Sequence, residues 1–167
     1  GYPILQNLSF TVEPGESIAL VGATGAGKST IVNPLSRYYD IQEGKILIDG
    51  HDISKVTVSS LRAQLGYMLQ DSFVFSGTIM ENIRYGKLDA TDEEVRAAAR
   101  AVNADEFIMN FKDGYQTYVS ERGSTLSAGQ RQLISLARAM LRDPHILILD
   151  EATSSIDTET EKKLIDG

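Results

Sequence analysis

The sequence predicts an α/β protein. Short apolar segments of strand character alternate with segments of helical periodicity, and a mostly helical section near 76–142 lies between two strand-bearing regions. A third observation sits between the first strand pattern and the first helix. Residues 22–29 are rich in glycine, follow an apolar run and open into a helical pattern.

The elements follow in order. Residues 4–12, Ile-Leu-Gln-Asn-Leu-Ser-Phe-Thr-Val, alternate enough for a half-buried strand. Pro14-Gly15-Glu16 is a turn signal, and Ser17 to Val21 reads as a short apolar strand. After Lys28 the pattern is helical to about Tyr38, with Pro34 expected to kink or shorten it. Lys45 to Asp49 reads as a strand ended by Asp49-Gly50, and Leu65 to Leu69 as a short buried strand. Thr91 is an N-cap, with Asp92, Glu93 and Glu94 favourably placed against the helix dipole. That helix continues through Val95 to Val102, and a second covers 104–111 until Asp113-Gly114. Ser127 caps a long helix in which Leu133, Leu136, Ala137, Met140 and Leu141 recur at helical spacing. Asp143-Pro144 ends it; His145 to Leu149 is a buried strand with two acids at its end, and Thr158 onward is helical again.

Composition narrows the class. The 167 residues suit one domain, and 42% hydrophobic with 23% charged residues are ordinary globular values. With no cysteine, a disulfide scaffold, a thiolate zinc site and a cysteine nucleophile are excluded. The formal charge is −7, and Lys and Arg are not clustered, so no nucleic-acid partner is expected. No apolar run approaches the roughly 20 residues of a spanning helix, and the first residues lack a signal-peptide pattern. The chain opens in a β-like pattern without an initiator Met and closes in a helical one, which reads as a domain truncated at both ends.

Gly22-Ala23-Thr24-Gly25-Ala26-Gly27-Lys28-Ser29 matches G-x-x-x-x-G-K-[ST], in the strand–loop–helix context of a P-loop. The glycines let backbone N–H groups point inward around phosphate oxygens, and the helix start adds positive partial charge. Lys28 reaches the β- and γ-phosphates, and the Ser29 hydroxyl can ligate Mg²⁺. Thr30 follows in the same turn and completes the set of candidate nucleotide-binding residues in this loop. Ile146-Leu147-Ile148-Leu149-Asp150-Glu151 is an apolar strand ending in two acids. Alone it reads as a solvated strand end. Beside a P-loop, Asp150 is the expected metal ligand and Glu151 faces the water that attacks the γ-phosphate, because successive strand residues point to opposite sides.

Leu126-Ser127-Ala128-Gly129-Gln130 resembles the signature of ATP-binding cassette proteins, and the resemblance extends over nearly the whole chain. Gln70, after Gly66-Tyr67-Met68-Leu69, looks like the Q-loop glutamine. Ser120-Glu121-Arg122-Gly123 looks like the X-loop of exporter-type cassettes, and Ser155-Ile156-Asp157 like the D-loop. Gly77-Thr78-Ile79-Met80-Glu81-Asn82-Ile83, leading to Tyr85-Gly86, also resembles exporters of the multidrug, lipid and peptide type. The resemblance implies a P-loop NTPase fold: a RecA-like core at 1–75 and 143–167, an N-terminal antiparallel β subdomain, and an inserted α-helical signature subdomain at 76–142.

It also implies an ATPase using ATP and Mg²⁺ at the cytoplasmic face of a membrane. Two cassettes, in a homodimer or heterodimer, would pack head to tail and drive export through transmembrane domains. Ser127, Gly129 and Gln130 would meet the γ-phosphate on the partner's P-loop. Gln70 would ligate Mg²⁺ and sense the γ-phosphate, and Glu121 would lie near the transmembrane domains or be a solvated loop acid.

The pattern departs from the family in places. Ala128 stands where the signature has its first glycine, and Pro34 is unusual in the helix after the P-loop. His51 and His145 precede Asp150 and Glu151 and read as surface or strand-edge residues. The family's switch histidine and adenine-stacking aromatic are expected outside 1–167, Tyr2 being too near the P-loop for the latter. Two other classes compete: a soluble cassette of DNA repair or translation, and a cassette that traps ATP without turnover. Acidity and the absence of sustained heptads speak against the first, and Glu151 against the second.

Overall fold

A computed structural model describes residues 7–23, 26–68, 73–120 and 125–149. The chain divides into two compact units, Gly1–Leu65 and Gly66–Gly167.

In the first unit, α1 (Lys28–Val32) gives way to a 3-10 turn at Asn33–Ser36. Pro34 lacks the N–H that an α-helical ladder requires, so the expected shortening occurs there. Arg37 closes the turn in the left-handed region, and its Nη1 donates to the carbonyls of Ile53 (3.2 Å) and Val56 (2.8 Å). Strands β1 (Leu47–Ile48) and β2 (His51–Asp52) pair antiparallel, with Leu47 opposite Asp52 and Ile48 opposite His51. Asp49 and Gly50 both have positive φ, the geometry of a tight hairpin turn. The strand expected at 45–49 is therefore the first arm of a hairpin. Helix α2 (Val58–Ala63) starts on Thr57, whose hydroxyl accepts from the Ser60 N–H.

Two expected strands do not form among the described residues. Residues 8–13 and 17–23 are irregular, and Leu8, Phe10, Ile18, Leu20 and Val21 are exposed. Apolar alternation favours a pleated surface only where a neighbour completes the hydrogen-bond ladder, and these segments have no strand partner among the described residues. Residues 4–6 lie outside the described residues.

The second unit holds a continuous apolar core. Strand β3 (Leu65–Met68), which begins at the boundary, pairs with the later strand at Ile146–Leu149. Strand β4 (Gly77–Thr78) leads into α3 (Ile79–Arg84); α4 (Asp92–Ala101), α5 (Asp105–Met109), β5 (Tyr118–Val119) and α6 (Ala128–Met140) follow, and β6 is Ile146–Leu149. β4 and β5 are antiparallel, with Gly77 opposite Val119. Ile79, Ile83, Val95, Val102, Ile108, Ile134 and Leu136 are all fully buried in this core.

The caps at Thr91 and Ser127 form as the sequence predicts, each as a reciprocal capping box. A third box, Thr78 with Glu81, starts α3. In the Thr91 box, the Lys87 ammonium and the Thr91 amide and hydroxyl pull the Glu94 carboxyl down to about 2. The backbones of the turn after α3 and of α6 meet closely. A Cβ on Gly86 would run into the Arg138 carbonyl oxygen.

Gly86→Ala must therefore push α3 from α6 and should destabilise the protein by about 1–3 kcal/mol. A fall in the urea unfolding midpoint at constant m-value checks this. An unchanged midpoint would mean that the two backbones part without cost.

Candidate nucleotide-binding site

The predicted site residues fall in both units. In the first, Gly22 and Ala23 lead into the loop, and the Ala26 N–H donates to the Ala23 carbonyl at 3.0 Å. A Cβ on Gly22 would stand only 3.2 Å from the Ala26 methyl, so the loop is drawn tight there. Gly27 caps α1 in the left-handed conformation (φ 90°), which a residue with a Cβ adopts only under strain. The first bond of the helical ladder runs from Ile31 N to Gly27 O at 3.2 Å. The amides of Lys28, Ser29 and Thr30 precede it and are not used by the ladder.

That start differs from the others. Thr57, Thr78, Thr91 and Ser127 cap α2, α3, α4 and α6 with a side-chain oxygen, and α5 carries Asp105 and Glu106 in its first turn. Among the described residues, α1 alone has neither a side-chain cap nor an acid in its first turn. Its amides and positive dipole end thus remain available to an external anion. The Lys28 ammonium stands at the same loop, donating to the carbonyls of Gly22 (2.7 Å) and Ala23 (3.1 Å). An ammonium has three donors, so a phosphate oxygen can be added or exchanged for a carbonyl. The Ser29 hydroxyl is exposed one residue on.

In the second unit, the signature forms the start of α6. Ser127 Oγ accepts from the Gln130 N–H at 3.1 Å, and Gln130 Oε1 accepts from the Ser127 N–H at 2.9 Å. Arg131 Nη1 holds the preceding turn by donating to the Leu126 carbonyl at 2.8 Å. Ser127 is exposed, and among the described residues its hydroxyl hydrogen has no acceptor, so it can be donated outward. Gly129 is half-buried in the first turn. Ala128 is exposed.

Strand β6 delivers the chain to Asp150, with Ile148 buried and Leu149 exposed. Thr24, Gly25, Gln70, Glu121, Asp150, Glu151 and the 155–157 segment lie outside the described residues. His51 and His145 are exposed. The sequence reading passed over Arg138, whose guanidinium lies part-buried between α6 and α3. A charged residue directly after the apolar pair Leu136-Ala137 was the available signal.

A glycine-turned loop, an uncapped helix start and a lysine folded over that loop define a P-loop nucleotide-binding protein. A family model described as ABC transporter matches residues 5–154, so the chain belongs to that family, whose ATP-binding domains hydrolyse ATP. It is 59% identical over 161 residues to "Uncharacterized ABC transporter ATP-binding protein YfiC" of Bacillus subtilis (strain 168), covering 96% of this chain and 27% of that protein. It is 53% identical over 161 residues to "Fatty acid ABC transporter ATP-binding/permease protein" of Mycobacterium tuberculosis (strain CDC 1551 / Oshkosh), covering 96% and 26%. A solved structure, "Structure of a bacterial Atm1-family ABC exporter with ATP bound", matches with a TM-score of 0.88 and 49% identity, covering 97% of this chain and 28% of that one. The chain thus spans about a quarter of the length of these curated relatives. Among the described residues no helix is long and apolar enough to cross a membrane.

Lys28→Ala removes the one side-chain cation of the loop. ATP binding measured by fluorescence titration should weaken at least about a hundredfold. Retention of wild-type affinity would contradict the assignment of the loop.

Proposed function

We propose that this cassette is the ATP-hydrolysing part of an ABC exporter at the cytoplasmic face of a membrane. Two cassettes close head to tail around ATP, and the cycle of closure and hydrolysis drives transmembrane domains. The observation that carries the reading is the contrast between two helix starts on one chain. α1 offers unspent amides beside Lys28, while the capped start of α6 presents an outward hydroxyl at Ser127. Neither start alone surrounds a γ-phosphate. Supplied by two chains, they make complementary halves of an anion site.

In this reading residues 1–75 and 143–167 form the core and 76–142 the helical subdomain; α3 to α6 all fall within the latter span. The phosphates lie against the loop of Gly22, Thr24, Gly25, Ala26 and Gly27 and the amides of Lys28, Ser29 and Thr30. Lys28 exchanges a loop carbonyl for β- and γ-phosphate oxygens. The partner's α6 start brings the Ser127 hydroxyl and the Gly129 amide, while Gln130 continues to hold the Ser127 backbone. Glu151 orients a water for in-line attack, and the developing charge is met by Lys28 and Ser127.

The exposed Ser29 hydroxyl is a hard oxygen donor suited to Mg²⁺, with Gln70 and Asp150 as the further ligands. The metal, when bound, neutralises phosphate charge. The Mycobacterium tuberculosis relative is named an ATP-binding/permease protein, which supports a transport role.

Two variants test the reading. Glu151→Gln should bind ATP within about twofold of wild type and lose turnover by about 10²–10⁴. Ser127→Arg should keep single-cassette binding and lose turnover, because the bulky cation blocks closure. Undiminished hydrolysis by Glu151→Gln would move the base elsewhere. A Ser127→Arg protein with normal turnover would defeat the composite site.

A further inference from the structure

We infer that Arg138 is a positioning residue of this ATPase: its guanidinium locks the signature helix α6 to α3 and to the Phe73–Thr78 segment, and so sets where Ser127 is presented. The inference rests on the proposed function and adds a control element to it.

The lock is built from one side chain and a relay. Arg138 Nε donates to the Asn82 carbonyl at 2.8 Å, Nη1 to the Phe73 carbonyl at 3.0 Å and Nη2 to Asn82 Oδ1 at 3.2 Å. Asn82 is fully buried on α3. Its Nδ2 donates to the carbonyls of Phe75 and Thr78, both at 3.0 Å, and its Oδ1 also accepts from the Phe75 N–H at 3.1 Å. The Arg138 cation lies 5.4 Å from the centre of the Phe75 ring and 5.9 Å from that of Tyr85, and the two rings meet edge to face. A planar fork that ties two backbone carbonyls and one side-chain oxygen fixes both distance and orientation, which an ammonium cannot do.

Stability alone does not account for this choice. Burial pushes the Arg138 pKa down, and among the described residues no carboxylate pairs with it. Among the described residues this part-buried cation meets neutral oxygens and two aromatic rings, and it loses solvation that an apolar residue of similar volume would not lose. What the arginine adds is a fixed geometry. A second, independent feature marks the same junction: the turn at Gly86 approaches the Arg138 carbonyl too closely for any Cβ.

The junction is placed to act at a distance. α6 runs unbroken from Ala128 to Met140, so Arg138 and Ser127 share one rod, roughly 16 Å apart at 1.5 Å per residue. At the other end of the lock, Phe73 follows Gln70 by three residues in the chain. A shift of the Phe73–Thr78 segment must then be passed to the Ser127 cap, and loss of the lock lets the signature drift without touching the P-loop.

The test uses the full-length protein carrying this cassette. ATP affinity and the turnover per bound nucleotide are measured for wild type, Arg138→Met, Arg138→Lys, Asn82→Ala and the Arg138→Met/Asn82→Ala pair. Arg138→Met should hold ATP within about twofold of wild type while turnover per bound nucleotide falls about tenfold. Arg138→Lys, which keeps the charge but not the fork, should recover part of that loss. The pair should be no worse than Arg138→Met alone, since both act through one lock. Wild-type turnover per bound nucleotide in Arg138→Met overturns the inference, as does loss of binding and turnover together in proportion to unfolded protein. Should Arg138→Met not fold, Arg138→Lys decides: reduced turnover at unchanged affinity supports the lock, and wild-type turnover overturns it. Lys28→Ala run alongside separates the two claims. If it abolishes binding while Arg138 variants turn over normally, only this inference falls. If it binds as wild type, the functional reading falls and this inference with it.

Discussion

The first amides of a helix have no partner within it, and the way each helix of this chain meets that constraint organises both the fold and the site. Four of the six described helices meet it with a threonine or serine oxygen, three of them in a reciprocal box with Glu81, Glu94 or Gln130. α5 places acids there instead. α1 meets it with nothing of its own, and the glycine that opens it is turned into the left-handed region. An uncapped helix start is less stable than a capped one by about 1 kcal/mol. Here the same absence leaves amides and dipole open to an anion beside the Lys28 ammonium. In the proposed reading, local instability and nucleotide binding are one property of one turn.

The start of α6 shows the opposite use of the same chemistry. Ser127 spends its acceptor on the helix and keeps its donor for the outside. Gln130 spends its carbonyl oxygen on holding the Ser127 backbone, so the hydroxyl is aimed by a second side chain rather than by chance. Behind this turn stands a helix with fully buried Ile134, Leu136 and Ala137. The packing that stabilises the second unit therefore also makes the signature rigid, and Arg138 ties that rigid rod to a particular part of its surroundings. Replacing the first signature glycine by Ala128 fits this arrangement, since alanine has the higher helix propensity and the residue is exposed.

What was legible in the sequence was local. The caps at Thr91 and Ser127, the break at Asp143-Pro144 and the shortening at Pro34 depend on a few neighbouring residues, and all form. At the described end of the 22–29 segment, Gly27 takes the left-handed turn that the glycine spacing suggests. The strands expected at 4–12 and 17–21 do not form among the described residues, because apolar alternation does not say whether a distant partner will complete the ladder. Helix α3 went unread although Thr78 and Glu81 carry the capping-box spacing; six residues give too little periodicity to reveal a buried face. The Arg138–Asn82 contact joins residues 56 positions apart, and no local pattern announces it.

In the proposed mechanism two cassettes complete one another's sites. The most direct measurement is the mass of the Glu151→Gln chain by light scattering, with and without Mg-ATP. Turnover is blocked in this variant, so a closed pair should persist: the mass should double on adding nucleotide and return to that of one chain when nucleotide is removed. A chain that binds ATP yet keeps the mass of a single copy would contradict closure between two copies of this cassette.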